Sequence, residues 1–103
     1  MEVRKSRHVD CSEPDAEGFF DYHYEYDIYE FIEGDVCVVA RSYTDEPHEA
    51  HFLSRAVAGK RFLLAMADLK RPLFRSAIGV LEQEGKTQIR YLDEKHSAYL
   101  PVG

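Results

Sequence analysis

The chain has no tryptophan, only two cysteines, and no apolar run near the roughly twenty residues that a membrane-spanning helix needs. Two cysteines, Cys11 and Cys37, are too few for the disulfide framework of a small secreted domain. We therefore expect free thiols and a cytoplasmic protein. Residues Met1 to Val9 are charged and lack the apolar segment of a secretory signal. These absences argue against the membrane and secreted classes of protein.

Motifs of catalysis are also missing. The sequence contains no G-x-S-x-G turn and no C-x-x-C pair, and Gly59-Lys60 lacks the other residues of a phosphate-binding loop. Cys37 lies inside a predicted strand, where cysteine ordinarily acts as a small hydrophobic side chain. Three carboxylates, Asp21, Glu25 and Asp27, could perform acid–base chemistry, but the solvent-facing side of a strand explains them more simply. We therefore expect a protein that is not an enzyme and that uses no cofactor.

Positive charge is scarce in the first half of the chain. Residues 1–50 contain four Lys/Arg and fourteen Asp/Glu, whereas residues 51–103 contain nine and five, so the two halves carry −10 and +4. The overall charge of −6 argues against nucleic-acid binding, because it repels phosphate. An acidic sector of this kind could instead neutralise a basic partner.

A chain of 103 residues builds one domain around a single core. Residues 1–18 lack periodicity and end in the turn-rich segment CSEPDAEG. We expect these residues to form a flexible N-terminal arm, and residues 19–103 to form a single α+β domain.

A long hairpin is expected at the start of that domain. Phe20 to Phe31 alternates with a period of two, and Val36 to Tyr43 is a β-branched, apolar run. A three-residue turn, Ile32-Glu33-Gly34, would give glycine the left-handed position and would place Glu25 opposite Arg41. The even-numbered face of the first strand is then predicted to be core: Tyr22, Tyr24, Tyr26 and Ile28.

The remaining pattern predicts one helix and further strands. A helix begins at Pro72 and ends before Gly85, and its apolar stripe comprises Leu73, Phe74, Ala77, Ile78 and Leu81. Strands are predicted at residues 87–92 and 98–102, while residues 46–58 allow either a strand, which we favour, or a helix. The expected fold is α+β: a small antiparallel sheet of about four strands, including the hairpin, with one main α-helix packed on one face.

The second face of the hairpin suggests a surface for a protein partner or a homodimer. At Tyr29 and Phe31 the apolar character moves from the even-numbered to the odd-numbered positions. With the helix on the even-numbered face, Tyr29, Phe31, Val39 and Tyr43 would form an exposed aromatic patch rimmed by charge. Alternatively, the N-terminal arm or another element covers these four residues.

The start of the predicted helix is unusually basic. Lys70, Arg71 and Arg75 crowd a helix end where the macrodipole favours acids. Either these cations pair with acids from the first half of the chain, which we favour, or they bind an anionic ligand or nucleic acid together with free backbone N–H groups.

The segment HEAH, His48 to His51, resembles a metalloprotease motif, but its histidines are one residue too close together. Together with His8 and Cys11 it could hold a metal ion in a metal-dependent enzyme. Solvent-exposed loop histidines are the interpretation that we favour, so we predict no metal site.

Overall fold

The computed structural model describes residues 1–102, and all of its strands belong to one sheet. The elements are β1 Glu2–Cys11, β2 His23–Glu33, β3 Val36–Tyr43, β4 Glu49–Val57, β5 Lys60–Phe62, a 3₁₀ helix Met66–Lys70, α1 Pro72–Gln83, β6 Gln88–Asp93 and β7 Ala98–Pro101. One helix on a mostly antiparallel sheet confirms the predicted class, but with seven strands the described sheet is larger than expected. No helix in this part of the chain has the length and hydrophobicity needed to cross a bilayer.

The sheet is mixed, because one strand pair is parallel. The strand order is β1-β2-β3-β4-β6-β7, and β5 pairs with the end of β4. Glu49–Phe52 runs parallel to Gln88–Tyr91, and the connection between them contains α1, as a parallel pair requires a crossover. Residues 46–58 therefore supply a central strand, β4, and β6 and β7 confirm the strands predicted at residues 87–92 and 98–102.

The turn between β2 and β3 has two residues rather than the predicted three. Gly34 has a φ of 59° and Asp35 completes the turn, which is the hairpin type that requires glycine at its first central position. As a result Ile28, and not Glu25, lies opposite Arg41. The predicted register is wrong by an odd number of residues, so the odd-numbered side chains of β2 share a face with the even-numbered side chains of β3.

The core lies between α1 and one face of the sheet. Its largest fully buried side chains are Tyr29, Tyr91, Phe31, Phe52, Phe74, Leu64 and Leu81. The rings of Phe52 in β4 and Phe74 in α1 have centroids 4.3 Å apart and join the two layers. The buried residues of α1 are Leu73, Phe74, Ala77, Ile78 and Leu81, which confirms the predicted apolar stripe.

The prediction for the two faces of β2 is wrong. Tyr29 and Phe31, predicted to lie on the surface, are 1% and 0% exposed, whereas Tyr22 and Tyr24, predicted to be core, are 45% and 50% exposed. The shift of apolar character at Tyr29 marks the point where β2 enters the part of the sheet that α1 covers. N-terminal to Tyr29, tyrosines and acids alternate along a part of the strand that no helix covers.

Residues 2–11, predicted as part of an arm, form the edge strand β1 antiparallel to β2. The Arg7 guanidinium of β1 donates hydrogen bonds to Asp27 Oδ1 at 2.6 Å and to Glu25 Oε1 at 2.7 Å. All residues of β1 are exposed, which explains why its sequence has no apolar alternation. The boundary predicted at residue 18 therefore falls inside the β1–β2 hairpin.

Candidate functional site

The face of the sheet opposite α1, which we call the open face, is packed by no helix within residues 1–102. It carries the even-numbered side chains of β1 and β2 and the odd-numbered side chains of β3. The predicted partner-binding residues do not lie together: Tyr29 and Phe31 are in the core, whereas Val39 and Tyr43 are half-buried on the open face. The predicted patch is therefore not a surface, and the exposed aromatic residues of the hairpin are a different set.

Four aromatic rings are exposed near the tip of the β1–β2 hairpin: Phe19, Phe20, Tyr22 and Tyr24. The Tyr22 and Tyr24 rings stack with centroids 6.0 Å apart, and the ring centroids of Tyr24 and Tyr43, a residue of β3, are 5.7 Å apart. Phe20 lies 5.5 Å from the ring of His23. These contacts form two groups of rings: Tyr22, Tyr24 and Tyr43 in one, and Phe20 with His23 in the other.

The same end of the molecule is acidic. The chain contains no Lys or Arg between Arg7 and Arg41. Thr44 N donates to Glu25 O at 2.9 Å, which holds the β3–β4 turn beside β2. The exposed carboxylates of residues 8–24 and of this turn are Asp10, Glu13, Asp15, Glu17, Asp21, Asp45 and Glu46. We call these carboxylates and the four exposed rings the acidic aromatic end.

Side-chain hydrogen bonds give the hairpin tip a defined shape. Ser12 Oγ accepts from Asp21 N at 2.7 Å and from Tyr22 N at 3.3 Å. Asp15 Oδ1 accepts from Glu17 N and Phe19 N, both at 2.9 Å. Short polar side chains that bind nearby backbone N–H groups are the usual means of fixing a turn. The exposed phenylalanines are thus presented by an ordered turn.

A second cluster, which we call the cationic row, crosses the centre of the open face. Arg41 of β3 lies beside His51 of β4, and His51 lies beside Arg90 of β6. Because neighbouring strands are about 4.8 Å apart, the row is about 10 Å long. Tyr99 of β7 reaches over it: its ring centroid is 4.6 Å from that of His51, and its Oη accepts a hydrogen bond from Arg41 Nη2 at 3.3 Å.

Burial and the flanking charges control the protonation of His51. Desolvation lowers the pKa of His51, Glu49 opposes this, and Arg41 and Arg90 lower the pKa further. Arg41 Nε and His51 Nε2 are buried and have no hydrogen-bond partner among residues 1–102. The Arg41 guanidinium carbon lies 4.8 Å from the ring centroid of Tyr43, a cation–π contact. The positively charged Arg41 therefore lies against the ring of Tyr43, and His51 lies against the ring of Tyr99.

The predicted anion-binding residues at the helix start are only partly paired. Arg71 Nε donates to Asp68 Oδ1 at 3.0 Å, and Arg55 Nε lies 3.1 Å from the same oxygen. Asp68 belongs to the second half of the chain, so the acid that pairs here does not come from the acidic half as we expected. Lys70 and Arg75 are exposed and make no ion pair within residues 1–102.

The histidines of the HEAH segment do not meet the other proposed metal ligands. His48 lies in the turn before β4 and His51 lies in β4, whereas His8 and Cys11 lie on β1, and β2 and β3 separate the two strands. Within residues 1–102 no group of three or more His, Cys, Asp or Glu side chains could hold a metal ion. The four-ligand site considered from the sequence is therefore not formed.

The other candidate reactive groups have structural partners. Burial and the nearby Glu30 raise the pKa of the Cys37 thiol, which is the opposite of the activation that a nucleophile needs. Asp27, expected on the solvent side, is buried, and its hydrogen bonds with Arg7 lower its pKa despite the opposing effect of burial. Asp27 therefore belongs to the packing of β1 against β2.

A groove of about 760 Å³ lies between α1 and strands β6 and β7, and its charged lining residues are Arg75, Glu82, Lys86 and Arg90. The Lys86 amine donates to Pro47 O at 2.7 Å, and burial lowers the pKa of this amine. The groove combines both signs of charge, and its lysine is already hydrogen-bonded. The groove is therefore a weaker candidate site than the acidic aromatic end or the cationic row.

Sequence reasoning missed both of these clusters. The signal for the exposed rings was present, because the apolar character of β2 changes face at Tyr29. No comparable signal exists for the cationic row, whose members are brought together by the pairing of β4 with β3 and β6.

Comparison with family models, curated proteins and solved structures finds no match to this chain. The features that bear on its function are therefore those of its own geometry.

Proposed function

We propose that this protein is a non-catalytic, cytoplasmic binding module that docks a basic protein partner on its acidic aromatic end. One observation carries the proposal: four exposed aromatic rings and seven exposed carboxylates lie together on one ordered end of the molecule. The rings would provide the contact area, and the carboxylates would select the partner.

The aromatic rings are suited to a protein interface. Phenylalanine and tyrosine are enriched in the buried centres of interfaces, because they supply a large contact area with only two side-chain torsions. Phe19 is 68% exposed and Phe20 46%, so most of this area is available to a partner. An apolar surface rimmed by charged groups is typical of association sites.

The charge of this end favours a partner rich in lysine and arginine. Residues 8–40 contain no Lys or Arg, and Arg7, which precedes them in β1, is already bonded to Asp27 and Glu25. A negative field of this kind repels nucleic acid and acidic proteins and accelerates the approach of a basic surface. Occupation by a basic protein therefore agrees with both the rings and the charge.

The helix leaves this part of the hairpin uncovered on its other side as well. Val9, Cys11 and His23 point to the face that α1 covers elsewhere, yet all three are exposed. A two-stranded ribbon is marginally stable in water by itself, and here the contact of Tyr24 with Tyr43 ties it to β3. A partner that covered the rings would bury a surface that the fold itself does not bury.

Site-specific photocrosslinking in cells tests the proposal. A photoreactive amino acid replaces Tyr24 in one protein and Glu82, an exposed residue of α1, in a control. We expect the variant at position 24, and not the control, to capture one protein with a basic isoelectric point. The captured protein is then purified and its affinity is measured by titration calorimetry at low and high salt.

Charge reversal distinguishes a specific site from general attraction. Asp21→Lys combined with Glu46→Lys should weaken binding at least about tenfold, whereas Glu82→Lys with Glu84→Lys should leave it nearly unchanged. Equal losses in the two double variants would contradict the proposal. Capture of a second copy of this chain or of an acidic protein at position 24, or no capture above the control, would also refute it.

A further inference from the structure

We infer that the cationic row, Arg41, His51 and Arg90, is a binding site for an oxyanion, the phosphate or carboxylate group of a small molecule. This site is separate from the acidic aromatic end and does not depend on the proposed partner.

The geometry of the sheet makes the three side chains neighbours. Arg41 and His51 are paired residues of an antiparallel ladder, and His51 and Arg90 are paired residues of a parallel one. Side chains directly opposite on one face have Cβ atoms about 5 Å apart. Two guanidinium groups with an imidazole between them can therefore reach a single anion from adjacent positions.

The positive charge of the cationic row is not neutralised by the protein. Neither Arg41 nor Arg90 forms an ion pair within residues 1–102, and both are half-buried. Glu49, two residues before His51, is the acid that acts on this group, and its carboxylate lies 3.9 Å from His48 Nε2. Two arginines against one shared carboxylate leave a net positive site.

Arg41 and His51 also have hydrogen-bonding groups without partners, which supports an anion site. A guanidinium has five N–H donors, and within the described chain Arg41 makes one side-chain hydrogen bond, to Tyr99 Oη. His51 Nε2 is buried and has no partner there. An oxyanion supplies acceptors for the unused Arg41 donors and, once His51 is protonated, for its Nε2–H, and the Tyr99 hydroxyl remains free to donate a further bond to it.

Tyrosines define the borders of the site. The Tyr43 ring lies 4.8 Å from the Arg41 guanidinium carbon on one side, and the Tyr99 ring lies 4.6 Å from that of His51 on the other. Tyr99 is 40% exposed at the sheet edge, so it can move aside without disturbing the core. A flat ligand with a phosphate or carboxylate group would find a ring to stack on and cations to bind.

NMR titration of the ¹⁵N-labelled chain tests the inference with sodium phosphate and, separately, sodium acetate at constant pH and ionic strength. We expect saturable shifts of the amides at Arg41, His51 and Arg90, and a higher pKa of the His51 ring in the presence of the bound anion. Shifts with one salt alone would identify that class of anion. No shift with either salt would overturn the inference.

Two variants separate this site from the basic helix start. Arg41→Gln with Arg90→Gln should lower the affinity for the effective anion about tenfold or more, because each substitution removes a charge-assisted hydrogen bond. Arg75→Gln should leave it unchanged. The dispersion of amide signals in the NMR spectrum of each variant shows whether that variant is folded. The rise in the pKa of His51 on anion binding is measured in the unaltered chain. Shifts confined to Lys70, Arg71 and Arg75 would refute the site and favour the helix start.

Discussion

The two faces of the sheet carry the same residue types in opposite environments. On the face that α1 covers, which we call the covered face, Tyr29 and Tyr91 are each 1% exposed, whereas on the open face Tyr22 and Tyr24 are 45% and 50% exposed. Aromatic residues on the covered face pack between α1 and the sheet, and Tyr22 and Tyr24 are exposed to solvent. The comparison teaches that strand parity and helix coverage, rather than residue type, decide what each tyrosine does.

The largest expected effect comes from placing the same charge on each face. Phe31→Asp removes a fully buried ring, a change that costs about 3–5 kcal/mol even for alanine, and also buries a carboxylate without a partner. The loss of the ring and the burial of the carboxylate together cost nearly as much as the free energy of unfolding of a small domain, which is about 5–15 kcal/mol. We therefore expect Phe31→Asp not to fold.

Tyr24→Asp is the matched change on the open face, and we expect the free energy of unfolding to change by less than about 1 kcal/mol. Urea unfolding followed by circular dichroism measures both variants. Similar losses at the two positions would mean that the faces do not differ as described.

The second test removes a buried ion pair from the covered side. Asp68 is 4% exposed, accepts a hydrogen bond from Arg71 and from the Ala65 backbone, and lies beside Arg55. Asp68→Asn should lower the free energy of unfolding by about 1.5–3 kcal/mol, because hydrogen bonds to a charged group are lost and Arg55 is left unpaired. Glu94→Gln, an exposed control, should change it by less than about 0.5 kcal/mol.

Acid should affect the covered side through Asp27. Its hydrogen bonds with Arg7 hold the pKa of Asp27 below the usual range, so it stabilises the folded chain above about pH 4, and this stabilisation is lost as the pH falls through the lowered pKa. We expect Asp27→Asn to be less stable than the unaltered chain at pH 7 and to lose less stability between pH 4 and pH 2. Parallel acid-induced loss in both chains would contradict this assignment.

The smallest expected effect is on the open face, at His51. Burial lowers the pKa of this imidazole, so the unfolded chain binds the proton more readily, and stability is lost as the pH falls below about 6.5. His51→Gln should show a flatter dependence of the unfolding midpoint on pH between 7 and 5. A steeper dependence in the variant would be inconsistent with a desolvated, neutral histidine.

Much of the fold is encoded in local patterns. Helix α1 is specified by Pro72, Gly85 and the apolar stripe between them. Alternation locates β2 and β6, and a β-branched, apolar run locates β3. What local pattern cannot specify is the register of a hairpin when both turn lengths are chemically acceptable. Gly34 fits a three-residue loop or a two-residue turn, and the choice between them exchanges the faces of β2 relative to β3.

The sequence pattern does not predict the edge strand or the cationic row, for different reasons. β1 is exposed along its whole length, so no burial constrains its sequence and it reads as an arm. The cationic row joins residues 10 and 39 positions apart in the sequence, from Arg41 to His51 and from His51 to Arg90. Only the strand order places them side by side, and no composition rule predicts a parallel pair in a mostly antiparallel sheet.

The difference between the two faces can be measured most directly by photo-CIDNP NMR, in which an excited flavin dye enhances the signals of tyrosine rings that it can touch. We predict enhanced signals from Tyr22, Tyr24 and Tyr99 and none from Tyr29 or Tyr91. Enhancement of Tyr29 together with silence of Tyr22 and Tyr24 would contradict the arrangement of the faces, and with it the acidic aromatic end as a docking surface.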